Sequence, residues 1–321
     1  MRSHRLTSLI ALLAFLLPSS GIPAGAEAPQ RVAERGTRAL WIWRPTFLED
    51  HEDYRELLQF TRKRRIRTLF LFVSTRRLEE KPEAFRRFLE RAHREKLVIH
   101  ALNGAPEWIL REERHEPRAF LNAVLLFNRT GRMAERFDAV HLDVEPQSLP
   151  EWTPEAPPQI KQRLAGEYVD FLRWARRKTG DAGLRLSVDI PVAFNSIQLE
   201  SSPLLVAVLE QVDEVAVMAY LDEAVEVLAA SHAPLEHAGR MGKRVWVGLS
   251  ADPTHLPPVQ AGRRLEPELE KLAQSVERNL ARRSGFRGVA IHDYDHYRRA
   301  QCKSQEGCQP AAPIAPAASA H

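Results

Sequence analysis

Cysteine is almost absent from this chain, which has only Cys302 and Cys308 among its 321 residues. In an exported protein this pair could close one small disulfide loop that pins the end of the last helix, but it cannot form a disulfide framework. A metal site would need more cysteine or histidine ligands nearby, and neither H-x-H nor H-E-x-x-H spacing occurs in the sequence. We therefore expect no bound metal and no other cofactor.

Long hydrophobic runs are also scarce, and the one that exists lies at the N-terminus. Leu9–Leu17 is almost wholly apolar, follows Arg2 and Arg5, and precedes the small residues Ala24-Gly25-Ala26. This order is typical of a secretory signal peptide. The run is also shorter than the roughly 20 residues of a membrane-spanning helix. The sequence therefore predicts a signal peptide over residues 1–26 and a secreted or periplasmic protein, with an uncleaved anchor as the alternative.

No strongly charged tract marks the chain as a nucleic-acid binder. The formal net charge is +4, and no arginine-rich segment is interleaved with aromatic residues. No later segment is apolar enough to span a membrane, and no linker divides the chain, so we expect a monomer with one domain over residues 27–308. The Pro/Ala-rich tail over residues 309–321 is predicted to be disordered.

What the chain does contain is a regular alternation of strand-like and amphipathic helical runs, which is typical of a parallel sheet with helical crossovers. Eight such units favour an α/β fold with a single (β/α)8 TIM barrel. An open, doubly wound sheet is the alternative, but no glycine-rich phosphate fingerprint follows the first strand. The predicted strands are Ala39–Trp43, Thr68–Val73, Val98–Asn103, Ala139–Val144, Arg185–Ile190, Glu214–Ala219, Arg244–Leu249 and Gly288–His292. The predicted helices are Asp53–Arg65, Glu83–Glu95, Pro117–Arg136, Ile160–Thr179, Leu204–Val212, Asp222–Met241 and Pro267–Arg283.

The fourth predicted strand carries the residues best suited to catalysis. Because side chains alternate along a strand, His141, Asp143 and Glu145 share one face of it. Two carboxylates this close raise the pKa of at least one of them, which suits a general acid near neutral pH. The alternative is a strand end that is ion-paired and faces solvent.

Polar and aromatic residues recur where the other strands end, and active sites of these barrels form at that face. Aromatic rings stack on sugar rings, and carboxylates and amides bind sugar hydroxyls. Trp41 and Trp43 could equally fill the barrel, and Asp189 could cap a helix. The predicted substrate-binding residues are Trp41, Trp43, Asn103, His141, Asp189, Met218, Asp222, His292 and Tyr294.

The segment Asp138–Glu145, DAVHLDVE, resembles the D-x-x-D-x-D-x-E signature of family 18 glycoside hydrolases, the chitinase-like enzymes. Met218–Asp222, MAYLD, is similar to the M-x-Y-D of that family. The resemblance implies that Glu145 is the general acid, that Asp143 holds the 2-acetamido group of the substrate as it attacks the anomeric carbon, and that Tyr220 steadies this group.

The chain departs from the family pattern at three places. His141 stands where the family has an acid, and Leu221 moves Asp222 one position late. The eighth strand reads IHDYDHY and lacks the stacking tryptophan of the family, which leaves His292 or Tyr294 as its substitute.

These observations predict an exported glycoside hydrolase that cleaves a polysaccharide containing N-acetylated amino sugars. The catalytic residues would be Glu145, Asp143 and Tyr220. A non-catalytic carbohydrate-binding barrel is one alternative. A glycosidase with two catalytic carboxylates, Glu145 and either Asp189 or Asp222, is the other.

Overall fold

The computed structural model describes residues 36–48, 51–255 and 266–303 of the chain. The predicted signal peptide, the side chains of Cys302 and Cys308, and the predicted disordered tail lie outside these described residues. Within them, no helix has the length and apolar character that crossing a membrane requires.

Eight parallel strands form a closed barrel in which each strand pairs with the next one in the sequence, and the last pairs with the first. The prediction of a single (β/α)8 barrel is therefore confirmed. The strands are β1 Arg38–Ile42, β2 Ile66–Phe72, β3 Val98–Asn103, β4 Ala139–Leu142, β5 Arg185–Pro191, β6 Glu214–Met218, β7 Arg244–Ser250 and β8 Phe286–His292.

Helices cover the outside of the barrel. They are α1 His51–Lys63, α2 Thr75–Glu80, α3 Pro82–Arg94, α4 His115–Thr130, α5 Pro158–Asp181, α6 Leu204–Gln211, α7 Ala224–Arg240, α8 Glu266–Leu280 and α9 Tyr294–Lys303. The sequence did not predict α2 or α9. Ser74 caps α2 by accepting a hydrogen bond from the backbone N–H of Arg77, but six residues are too few to show a helical period.

One strand boundary differs from the prediction in a way that affects the site. We expected the fourth strand to reach Val144, but β4 ends at Leu142. Asp143 still donates its backbone N–H to the carbonyl of Asn103, at 3.1 Å. The chain then turns at Glu145, where φ is −108° and ψ is 80°, into a short 3-10 helix that begins at Pro146. Proline has no N–H to continue the ladder, so the two acids stand beyond the strand.

Aromatic side chains fill the interior of the barrel. Trp41 meets the edge of Phe70 at 5.0 Å between ring centroids, and Phe70 meets Trp246 at 6.1 Å. Below them, Trp246 donates its indole N–H to Glu214 at 3.0 Å, and Glu214 also accepts from Arg185 at 3.0 Å. This layer closes the end of the barrel where the strands begin, so the carboxyl ends of the strands are the place for a site.

Candidate active site

Two aspartates from neighbouring strands meet at the carboxyl end of the sheet. The register of β4 and β5 pairs His141 with Ser187 and Leu142 with Val188. The same register, carried one residue past Leu142 and Val188, places Asp143 opposite Asp189. Two neighbouring carboxyl groups in a buried site oppose each other's ionisation. The pair therefore has the geometry of an acid couple that keeps one proton.

Two side chains inside the barrel contact Asp189, whose surface is 2% exposed. Trp41 reaches across from β1 and donates its indole N–H to Asp189 Oδ2 at 3.1 Å. His141 Nε2 lies 2.9 Å from Asp189 Oδ1, at ion-pair distance but outside the angles of a hydrogen bond. Burial lowers the pKa of His141 to about 3, so its ring is neutral at neutral pH. Trp41 and His141 thus act beneath the site, where a substrate does not reach them.

Burial is also the main cause that raises the pKa of both aspartates well above the usual value. For Asp143, the charges of Asp189 and Glu145 add to this effect, since like charges at short range oppose ionisation. The pair therefore keeps a proton at pH values where an exposed aspartic acid has lost its own.

Glu145 occupies the turn just after this pair and is partly buried. Its Oε2 accepts a hydrogen bond from the side-chain amide of Gln147, at 2.5 Å. Burial raises the pKa of Glu145, and the Gln147 bond opposes that shift without cancelling it. A carboxylic acid that stays protonated toward neutral pH is suited to donating a proton to a leaving oxygen.

Gly104 allows the backbone of Asp143 to reach its position. A Cβ on Gly104 would lie 2.0 Å from the carbonyl oxygen of Asp143. Asn103, one residue earlier, donates its side-chain amide to the carbonyl of Val73 at 2.7 Å and accepts from the N–H of Gly104 at 2.8 Å. Asn103 therefore shapes the turn under Asp143, and both of its amide atoms have protein partners.

Aromatic and histidine rings line the side of the site formed by β6, β7 and β8. Tyr220 stacks on His255 with ring centroids 5.0 Å apart and an angle of 2° between their planes. His292 lies 5.5 Å from Tyr220 and accepts a hydrogen bond from the indole N–H of Trp43 at its Nε2, at 3.0 Å. Since an indole N–H only donates, the proton of neutral His292 is on Nδ1. Burial lowers the pKa of His292 to about 4, so this neutral form prevails at neutral pH.

Among the remaining predicted site residues, Tyr294 does not join the acids. Tyr294 is 7% exposed and packs edge-on against Phe60 of α1, outside the barrel, at 5.3 Å between ring centroids. The structure therefore does not bring Tyr294 to the site, because it begins α9 instead of ending β8. Met218 ends β6 and Asp222 follows it in the loop before α7; both are partly exposed.

Three residues near the acids were not predicted from the sequence. Tyr168 of α5 is fully buried, and its hydroxyl has no hydrogen-bond partner among the described residues. Burial, together with the charges of the acid cluster, raises the pKa of both Tyr168 and Tyr220. Gln147 bonds Glu145, and His255 stacks on Tyr220. Tyr168 lies on the apolar stripe of its helix and His255 in a loop, so no sequence signal marked either one.

Among the described residues, no group of three or more histidine, cysteine, aspartate or glutamate side chains has the arrangement of a metal site.

The shared proton predicts a dependence of stability on pH. Because the pKa of Asp143 is raised in the folded state, the stability due to its bound proton is fully present below about pH 4, the pKa of an unfolded aspartate, and is lost as pH rises through the folded pKa. Replacing Asp143 by asparagine removes this loss. We expect the Tm of Asp143→Asn, relative to the wild type, to rise by roughly 3 °C or more between pH 4 and pH 9.

The matched control for this melting experiment is Glu200→Gln, at an exposed carboxylate in the loop before α6. Its Tm difference from the wild type should stay constant over the same pH range. A constant difference for Asp143→Asn as well would show that Asp143 binds no extra proton in the folded protein.

Comparison with known proteins finds the same fold in solved structures. No protein-family model matches the chain, and no curated protein matches its sequence significantly. A GH18 chitinase from Pseudoalteromonas aurantia superimposes with a TM-score of 0.51 at 10% identity, over 84% of this chain and 97% of that chain. An endo-1,4-beta-D-mannanase from Thermotoga petrophila RKU-1 gives a TM-score of 0.54 at 10% identity, over 81% and 88% of the two chains. The chain thus shares the (β/α)8 fold of these enzymes, and identities this low establish the fold alone.

Proposed function

We propose that this protein is a glycoside hydrolase that cleaves a polysaccharide containing N-acetylated amino sugars, with Glu145 as the general acid and base. The fold it shares with chitinase-like and other glycosidases supports the reaction class. The export predicted from residues 1–26 and a monomeric state belong to the same proposal, since polymeric glycans lie outside the cytoplasm.

The observation that carries the proposal is the state of Asp143 beside Glu145. Oδ1 of Asp143 is buried and has no hydrogen-bond partner among the described residues. A buried acceptor without a donor is unfavourable by about 1–3 kcal/mol or more. A substrate that offers an N–H at this point would satisfy it, and the 2-acetamido group of an amino sugar has one.

The geometry fits hydrolysis assisted by the substrate itself. Asp143 accepts the acetamido N–H and directs the acetamido oxygen to the anomeric carbon, while Tyr220 steadies the group. The oxygen–carbon bond forms as the glycosidic bond breaks, and Glu145 gives its proton to the leaving oxygen. Glu145, now ionised, takes a proton from the water that opens the cyclic intermediate. Both roles need the raised pKa of Glu145 that its burial produces.

Two other functions remain alternatives. A carbohydrate-binding barrel without activity would use the same aromatic side of the site, and the histidine at position 141 favours it. A glycosidase with two catalytic carboxylates would need a second acid that reaches the sugar. Asp189 is buried and bonded to Trp41, so Asp222 is the candidate that is left for this role.

The experiment that separates these functions compares one polymer in two forms. Chitin, peptidoglycan glycan strands and poly-N-acetylglucosamine are each assayed for the release of reducing ends, with and without chemical de-N-acetylation. We expect hydrolysis at least about 100-fold faster on the acetylated form of one polymer, because de-N-acetylation removes the internal nucleophile.

Equal rates on both forms would contradict the assisted mechanism and favour two catalytic carboxylates. Binding of the polymers without any release of reducing ends would identify a non-catalytic barrel.

A further inference from the structure

Position 141 is the point at which the chain departs most from the chitinase-like pattern. That pattern has an acid two residues before the acid at position 143, and here His141 stands in its place. The imidazole is fully buried and lies on the ring of Phe70, with centroids 3.9 Å apart and an angle of 22° between the rings. Its Nε2 faces Asp189 at 2.9 Å.

Asp189 lies beside Asp143 on the neighbouring strand. The register of β4 and β5, carried one residue past Leu142 and Val188, places the two aspartates opposite each other. Trp41 donates its indole N–H to Oδ2 of Asp189 from across the barrel, at 3.1 Å. The acid that is missing from β4 therefore has a counterpart on β5, next to Asp143.

We propose that Asp189 is the proton-sharing partner of Asp143 and replaces, from β5, the acid that position 141 lacks. The inference rests on the proposed function for its catalytic meaning, whereas the shared proton is a property of the folded protein alone. The hydrogen bond from Trp41 holds the orientation of Asp189, and His141 packs against its other oxygen at 2.9 Å. Asp189 is 2% exposed, so it acts through Asp143 as a positioning residue.

The proton moves between the two carboxyl groups during the reaction. Before substrate binds, one proton lies between Asp143 and Asp189. As the acetamido oxygen attacks the anomeric carbon, positive charge develops on the acetamido group, and the proton passes to Asp189. Asp143 is then ionised beside that charge and stabilises it. The proton returns when water opens the intermediate, so the pair neither gains nor loses a proton in the cycle.

Other groups that titrate also face this pair and are part of its environment. They are Glu145 after β4, His141 on β4, Tyr168 on α5 and Tyr220 after β6.

The test is a titration of carboxyl groups that needs no substrate. Protein labelled with ¹³C at the aspartate carboxyl carbons is titrated by NMR, and the Asp143 signal is assigned from its loss in Asp143→Asn. In the wild type, we expect Asp143 to titrate in two steps, because coupled acids lose their protons as a pair. In Asp189→Asn, the signal should show a single step at lower pH. An Asp143 titration unchanged by Asp189→Asn would overturn the inference whatever the activity.

Activity gives the second readout. On a glycan that the wild type cleaves, Asp189→Asn should lower kcat at least tenfold, change KM less than threefold and alter the pH profile of kcat. Restoring the family pattern with His141→Asp in the Asp189→Asn protein should recover part of kcat. Ser187→Ala, at the buried position one step below on the same face of β5, should leave the pH profile unchanged.

The two proposals fail in different ways. A coupled titration with no hydrolysis of any glycan would contradict the proposed function and leave the acid couple standing. Hydrolysis of an acetylated glycan, together with an Asp143 titration that Asp189→Asn does not change, would contradict the acid couple and leave the proposed function standing.

Discussion

Replacing Glu145 by glutamine should reduce hydrolysis about a thousandfold or more while leaving the fold intact. An amide cannot give a proton to the leaving oxygen, and general acid catalysis contributes roughly 10²–10⁴ in rate. Glutamine retains the size of the side chain and its contact with Gln147, and it removes a carboxyl group whose pKa burial raises. The measurements are the release of reducing ends from the best substrate and the Tm of the variant, which we expect at or slightly above that of the wild type.

The matched control is Glu151→Gln, six residues further along the chain at an exposed position. It makes the same chemical change outside the site and should retain wild-type activity. Substantial hydrolysis by Glu145→Gln, with the control unaffected, would show that Glu145 is not the general acid and would contradict the proposed mechanism.

Replacing Gly104 by alanine should lower activity at least about 100-fold through the position of Asp143. The added methyl would lie 2.0 Å from the carbonyl oxygen of Asp143, so the end of β4 has to move away. Displacement of a catalytic group by about 1 Å can reduce the rate about 100-fold. A clash between backbones has no flexible side chain to relieve it, so we also expect a lower Tm, by roughly 3 °C or more.

Gly166→Ala is the control for this substitution. Gly166 lies inside α5, and nothing is within 4 Å of the position its Cβ would take. Alanine there should raise stability by about 0.5–1 kcal/mol and leave the rate unchanged, because alanine favours a helix over glycine. If Gly104→Ala behaves like Gly166→Ala, the packing of Gly104 against Asp143 does not set the geometry of the site.

Much of the barrel could be predicted because its strands are short apolar runs that stay buried on both faces. Val98–Asn103 was predicted to the residue, and most other strands differ from the prediction by one or two positions. Asp143 and Glu145 could be recognised as candidate site residues because burying a carboxylate beside an apolar strand is unfavourable. The end of β4 was misplaced, since alternation along the sequence continues to Val144 although Pro146 already forces the turn.

The pairing of Asp143 with Asp189 could not be predicted, because it depends on the register between β4 and β5. A single sequence indicates which face of a strand each residue occupies, but it does not determine which residue of the next strand lies opposite. Trp41 raises the same difficulty: at the sequence level it could equally line the mouth or fill the barrel. The structure places it at 1% exposure with its N–H bonded to Asp189. Ala39, Ala216 and Ala290 pack in the same cluster as its large ring.

The side chains of Trp41, Phe70 and Trp246 fill the interior of the barrel, so the barrel is not an open channel. A polymer cannot thread through it from one end to the other. Under the proposed function, a polysaccharide would lie across the open end of the barrel with one sugar unit near Asp143, and both products of cleavage would leave from that end. Such a binding mode is compatible with cleavage inside a polysaccharide chain as well as at its end.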